Sequence, residues 1–244
     1  MKRILYLTDF AYQAKGRRYC DEDIVITDYL RSRFNVACCH PTCCEPFEDT
    51  ADVMVFRNAG AVSAYQEAYD ALKERIHTKH LVTFNEFSGK ADMAGKDYLL
   101  DMTAHGLPVI PTVDSKDDLA QLPQADRYVV KPKTGADSNG LEFLSPTQLD
   151  AYPLTGRQML IQPAIDFTYE VSFYFINDTY EYALYAPDTQ ARWELVPYQA
   201  TAADVAFART FIAWNDMGHG IQRVDACRTR DGRLLLVELE DLDP

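Results

Sequence analysis

Arg223, Asp225, Glu238 and Glu240 end the sequence with a spacing that gathers three carboxylates and a guanidinium on one face of a predicted hairpin. Asp231-Gly232 is a favoured pair for a two-residue turn, which sets Arg230 opposite Arg233, Asp225 opposite Glu238 and Arg223 opposite Glu240. Side chains alternate along a strand, so these four share one side, while Val224, Ala226, Leu235, Val237 and Leu239 take the other. Like charges facing each other across a sheet repel unless something positive lies between them. Hard carboxylate oxygens suit magnesium, with manganese an acceptable substitute. The same residues also suit a solvated hairpin face whose acids reach water or Arg223.

Lys131 and Lys133 lie two apart at the end of an apolar run and point to one face. The loop after them, Thr134 to Gly140 with Ser138, has the composition to close its N–H groups over phosphate oxygens. Glu170 opens another apolar run, where it can accept hydrogen bonds from sugar hydroxyls. Each has an ordinary alternative: a turn, a solvated lysine, a strand-edge acid. Cys38, Cys39, His40, Cys43 and Cys44 invite comparison with a soft-metal site, but no second distant Cys/His pair completes it. Reduced thiols around a strand end are the simpler expectation, and a structural disulfide is disfavoured in a reducing compartment.

These residues need elements to hold them. Buried strands are predicted at 3–8, 53–56 and 81–84, alternating with helices at 21–34 and 63–77; Ile24, Leu30 and Phe34 are expected to turn inward. That alternation implies an α/β fold with a parallel open sheet, whose ligands sit beyond the carboxyl ends of the strands. Arg57, Asn58 and Asn85 fall there, and the first two are the candidate substrate residues. A short helix then carries Lys96 and Leu99, and strands follow at 127–131, 158–162 and 170–176. A helix at 202–217 with an apolar stripe of Val205, Ala208, Phe211 and Ile212 precedes the hairpin.

With 244 residues, 47% of them hydrophobic, the chain can bury a substantial core. Its formal net charge of -13 disfavours nucleic acid and anionic membrane as partners, so any anionic ligand must meet a local cluster of Lys and Arg. The apolar run Ile4 to Leu7 is too short for a secretory signal, and no segment approaches the roughly 20 apolar residues of a membrane span. A cytoplasmic protein is expected.

The ordered set Lys96, Val129-Val130-Lys131-Pro132 with its Gly/Ser loop, Ile161-Gln162-Pro163, Glu170, Arg223-Val224-Asp225 and Glu238-Leu239-Glu240 resembles the ATP-grasp superfamily of carboxylate ligases over nearly the whole sequence. The resemblance implies an ATP-grasp fold with an N-terminal parallel α/β unit over 1–88, a small grasp lobe over 89–160 and a C-terminal lobe over 161–244. It implies ATP as nucleotide, held by Lys96, Lys131, Lys133, Ser138, Gly140 and Glu170, with Gln162, Pro163, Ala164 and Ile165 as the hinge beside the adenine. It further implies two magnesium ions on Asp225, Glu238 and Glu240. Arg223 would contact the transferred phosphate, with Lys131 and Arg192 as further contacts; Arg192 matches by position only. Many relatives carry Asn where Glu240 stands, and many continue beyond the position of Pro244.

The activity implied is ligation of a small carboxylate, an amino acid or short peptide, to an amine or other nucleophile through an acyl phosphate. A non-catalytic nucleotide-binding regulator of the same fold and a phosphotransferase are the competing readings. A homodimer is the default expectation for assembly. Neither the loops around 185–194 nor His219 carries a recognisable substrate code.

Overall fold

The first strand, β1 (Arg3–Leu7), is buried along all but its first residue, as a central strand of a sheet covered on both faces must be. The computed structural model of the chain describes residues 1–14, 17–57, 62–134, 140–154, 158–188 and 194–242. After β1 come a two-residue ribbon, β2 (Gln13–Ala14) and β3 (Arg17–Arg18), then α1 (Cys20–Arg31), β4 (Asn35–Cys39), β5 (Val53–Phe56), α2 (Gln66–Lys79) and β6 (Thr83–Phe84). The four longer-range partners form a parallel sheet in the order β4-β1-β5-β6.

Helix α1 departs from expectation. Its buried residues are Cys20, Asp23 and Thr27, and Ile24 is 64% exposed rather than turned inward. The reason is polar: Asp23 accepts hydrogen bonds from Tyr6 and Thr8 of the β1 segment and from Arg57, so the helix docks by its acidic face. The edge strand β4 has little apolar alternation, which is why its pattern escaped the periodicity reading.

The remainder comprises α3 (Tyr98–Ala104), β7 (Tyr128–Pro132), β8 (Glu142–Leu144), α4 (Pro146–Ala151), β9 (Met159–Pro163), β10 (Phe167–Ile176), β11 (Thr179–Tyr185), β12 (Val196–Pro197), α5 (Ala202–Asn215), β13 (Ile221–Thr229) and β14 (Leu234–Glu240). They build a three-stranded antiparallel sheet, β8-β7-β9, and a five-stranded sheet, β12-β11-β10-β13-β14. Thr201 and Asp204 form a reciprocal capping box that starts α5.

Buried apolar residues fall into three clusters. One serves the parallel sheet, with Leu7, Met54, Phe56, Tyr69 and Leu72. A small one, with Val113, Val130, Leu149 and Ile161, backs the three-stranded sheet. The largest joins Phe173, Phe175, Val224, Leu236 and Leu239 to Phe211 of α5 and to Tyr98, Leu99 and Met102 of α3. Each such buried side chain contributes about 1.5–3 kcal/mol. The segment from Ala91 to Val109 therefore shares its core with the five-stranded sheet.

The closing hairpin meets the expected pairing by a different route. Its loop has three residues, Arg230, Asp231 and Gly232, with Gly232 at φ +86° and Thr229 N–H donating to Arg233 O. Ala226 consequently faces Leu236, not Val237. A bulge at Val237 then restores the register, so that Asp225 faces Glu238 and Arg223 faces Glu240 as predicted. The inward face is made by Leu234, Leu236 and Leu239, whereas Leu235 and Val237 are only partly buried.

Candidate active site

One face of the five-stranded sheet carries the chemistry. Register places Tyr174, Arg223 and Glu240 in one row, Ser172, Asp225 and Glu238 in the next, and Glu170, Cys227 and Leu235 in a third. Strand alternation buries Phe173, Val224 and Leu239 beneath them, so packing on the reverse side fixes where these polar groups project. Glu170 is half-buried here, on the same face as Asp225. Burial, then the Glu170 charge, pushes the Cys227 thiol up to about 11.

Arg223 forks onto Asp225, Nε to Oδ1 at 2.9 Å and a terminal nitrogen to Oδ2 at 2.9 Å, and it also reaches Glu240 at 3.5 Å. Burial opposes the guanidinium charge, but Asp225 and Glu240 outweigh it and hold its pKa well above the ordinary arginine value.

A strap from outside the hairpin completes the site. Asp92 N–H donates to Leu239 O at 3.3 Å, which brings the Asp92 carboxylate beside Glu238 and Glu240; one oxygen from each of the three lies within 4.8 Å of the others. Tyr98 Oη donates to Asp92 Oδ1 at 3.0 Å and accepts Leu239 N–H at 2.8 Å. On either side of Asp92, the N–H groups of Ala91 and Met93 donate to the buried Asp241, at 3.1 and 2.7 Å. Burial pushes the Asp241 carboxyl up to about 6 despite those bonds. A Cβ at Gly89 would collide with that carboxylate, so only glycine permits this approach.

Lys96 sits between the acids, at 2.5 Å from Asp92 Oδ2 and in contact with Glu238. Lys131 is only 9% exposed and makes no hydrogen bond or ion pair among the described residues. Burial first, then the neighbouring Lys96 charge, lowers its pKa to about 8. Lys133 differs: its ammonium is held by Asp97 at 2.6 Å and Asp114 at 2.8 Å.

The donor set fits a hard divalent cation. All three groups are carboxylates, and burial followed by the Asp92 charge pushes Glu240 up to about 8, a crowding that a divalent ion would relieve. Lys131 in turn is a buried cation within electrostatic reach of Asp92 and Lys96, with no ion pair among the described residues.

The other predicted residues are distributed as follows. Gln162 is buried and donates to Thr112 Oγ1 at 2.8 Å, and Pro163 pairs with Tyr128. Ala164 N–H donates to Arg127 O, and Ala164 and Ile165 line a cleft of about 910 Å³ with Arg127, Tyr128 and Phe143. Gly140 stands at φ +77° against the Pro132 ring. Arg57 follows β5 and directs its guanidinium to Asp23 at 2.7 Å and Glu22 at 3.1 Å, both on α1. Asn85, at the carboxyl end of β6 as expected, clamps two sheets: it donates to Ile221 O and Asp241 O and accepts Ile221 N–H. His219 reaches Thr83 O at 3.0 Å and Glu86 at 3.5 Å. Asn58, Ser138 and Arg192 lie outside the described residues.

Asp92 was absent from the sequence reading. Its one local sign is an acid four residues before Lys96, and the two meet across the turn that precedes α3.

The sequence is 28% identical over 229 residues to the cycloserine biosynthesis protein DcsG of Streptomyces lavendulae, covering 79% of this chain and 76% of that one. The solved structure of D-cycloserine synthetase DcsG superposes with a TM-score of 0.74 at 23% identity, covering 99% of this chain and 92% of that one. An ATP-grasp ligase from Chryseobacterium gregarium, solved with ADP and a leader and core peptide, gives 0.68 at 12% identity over 100% of this chain and 90% of the other. This is the ATP-grasp fold. No family model matches the sequence. Among the described residues, no helix is long and apolar enough to cross a membrane.

Proposed function

We propose that this chain is an ATP- and magnesium-dependent ligase that activates a small carboxylate as an acyl phosphate and joins it to an amine or other nucleophile. The observation that carries the reading is Lys131, a buried ammonium without an anion, set against a cluster of three carboxylates bridged by Lys96. A nucleotide triphosphate with its divalent ions supplies both missing charges. The similarity to DcsG over 79% of the chain supports a small amino-acid-like substrate.

Phosphoryl transfer asks a protein mainly for positioning and charge neutralisation. Glu238 and Glu240 with Asp225 would hold two magnesium ions, which supply neutralisation of the phosphate oxygens. Lys96 and Lys131 hold phosphate oxygens, Arg223 faces the charge on the group in transit, and Glu170 accepts hydrogen bonds from the ribose. A substrate carboxylate oxygen forms a bond to the γ-phosphorus as the bond to ADP breaks. The nucleophile's nitrogen then bonds the acyl carbon, phosphate leaves, and the nitrogen loses its proton. Arg57 and Asn58 are proposed to contribute to the substrate side.

The test is phosphate release from MgATP across a panel of amino acids and dipeptides, with hydroxylamine added as a trap. Carboxylate-dependent release with an acyl hydroxamate is expected. ATP binding without such release supports the regulatory reading, and release without a hydroxamate supports a phosphotransferase.

A further inference from the structure

The carboxylate set implied by the resemblance comes wholly from the hairpin, yet the acid that completes the triangle with Glu238 and Glu240 comes from the strap before α3. We infer that Asp92 is a cation ligand of this centre, shared with Glu238 and Glu240; the inference rests on the ligase reading above.

Four observations support it. The three carboxylate oxygens lie within 4.8 Å of one another. Two oxygens bound to one magnesium at about 2.1 Å each are at most about 4.2 Å apart, so a side-chain adjustment of about 0.6 Å brings the set to coordination distance. A positive charge already occupies the space between two of them, because the Lys96 ammonium touches both Asp92 and Glu238. Asp92 is also positioned as metal ligands are, by outer groups with no freedom of their own: Tyr98 Oη bonds its carboxylate, and buried Asp241 takes the N–H groups on either side. Finally, Lys131 supplies an independent sign of a ligand here, since the residue is nine-tenths buried, its ammonium has no hydrogen bond or ion pair among the described residues, and it lies within electrostatic reach of Asp92.

Asp225 stands in contrast, with both carboxylate oxygens engaged by the Arg223 fork. In this arrangement Asp225 orients Arg223 as well as facing Glu238.

The experiment is a manganese titration of the full chain with saturating ADP, read by the paramagnetic signal of free manganese and therefore independent of turnover. Asp92→Asn is expected to weaken manganese binding by at least about tenfold, while ADP binding measured in chelator changes less than about twofold. Tyr98→Phe, which keeps the ring and removes only the hydroxyl, is expected to weaken it in the same direction by a smaller factor and covers the case in which Asp92→Asn does not fold. Manganese affinity unchanged in either folded variant overturns the assignment of Asp92 and leaves the ligase reading standing. Wild-type protein that binds neither manganese nor ADP overturns both.

Discussion

Two acidic sites in this molecule, one a single carboxylate and one a cluster of three, have opposite surroundings. Glu48, in the first unit, is fully buried and holds Arg75 in a bidentate pair at 2.8–3.0 Å, with Lys79 at 3.3 Å. Every oxygen there has a cation, and the charge closes within the chain. At the other end, Asp92, Glu238 and Glu240 share Lys96 and a distant edge of Arg223, while Lys131 makes no ion pair among the described residues. Burial alone does not distinguish a structural charge from a functional one; the distinction is whether the partners already present complete it.

That contrast is tested most strongly at Glu48. Glu48→Gln leaves Arg75 and Lys79 without their buried carboxylate, so stability should fall by about 3–5 kcal/mol. In a chain of this size that lowers Tm on the order of 10 °C. Turnover per folded molecule, measured below the new Tm, should be unchanged. Glu238→Gln should do the reverse. Turnover is expected to fall by about 100-fold or more, a loss of about 2.7 kcal/mol in transition-state stabilisation, while Tm stays level or rises because a crowded charge has been removed. Equal stability losses in the two variants would erase the contrast.

The smallest effect concerns pH. Lys131 has a folded-state pKa of about 8, below the ordinary lysine value of about 10.4, because burial and Lys96 disfavour its charge. The folded protein therefore binds fewer protons than the unfolded chain between those two values, and the ligand-free protein gains stability as pH rises through that window. Nucleotide binding has the opposite sign. It needs the ammonium, so ATP affinity should weaken as pH rises from 8 to 9, and Lys131→Met should flatten that dependence. A wild-type affinity that is constant from pH 7 to 9 would count against Lys131 as a phosphate contact.

Much of the hairpin was legible in the sequence because strand alternation is strict: once Asp225 is assigned to one face, Arg223 and its partners follow. The turn was not legible. Two errors of one residue, the three-residue loop and the bulge at Val237, cancel before the site is reached, which is why the predicted pairs match although Leu235 and Val237 do not. Asp92 escaped for a different reason. Its place is set by Tyr98, Leu239 and Asp241, and the last two lie about 150 positions away in sequence, so no local pattern encodes it. Ile24 shows the same limit from the apolar side, because a buried Asp23 decides which face of α1 docks. Asn85 falls where ligands sit beyond a strand end, and only its three bonds to residues 221 and 241 show that it ties two sheets together.

The central claim is that the charges left open around Lys131 and the carboxylate cluster are closed by a nucleotide carrying divalent ions. Calorimetric titration of ATP into the protein, with magnesium and then with chelator, measures this directly. Binding that is saturable with magnesium and at least about tenfold weaker without it is the predicted result. The same affinity in both conditions, or no binding in either, would contradict the account.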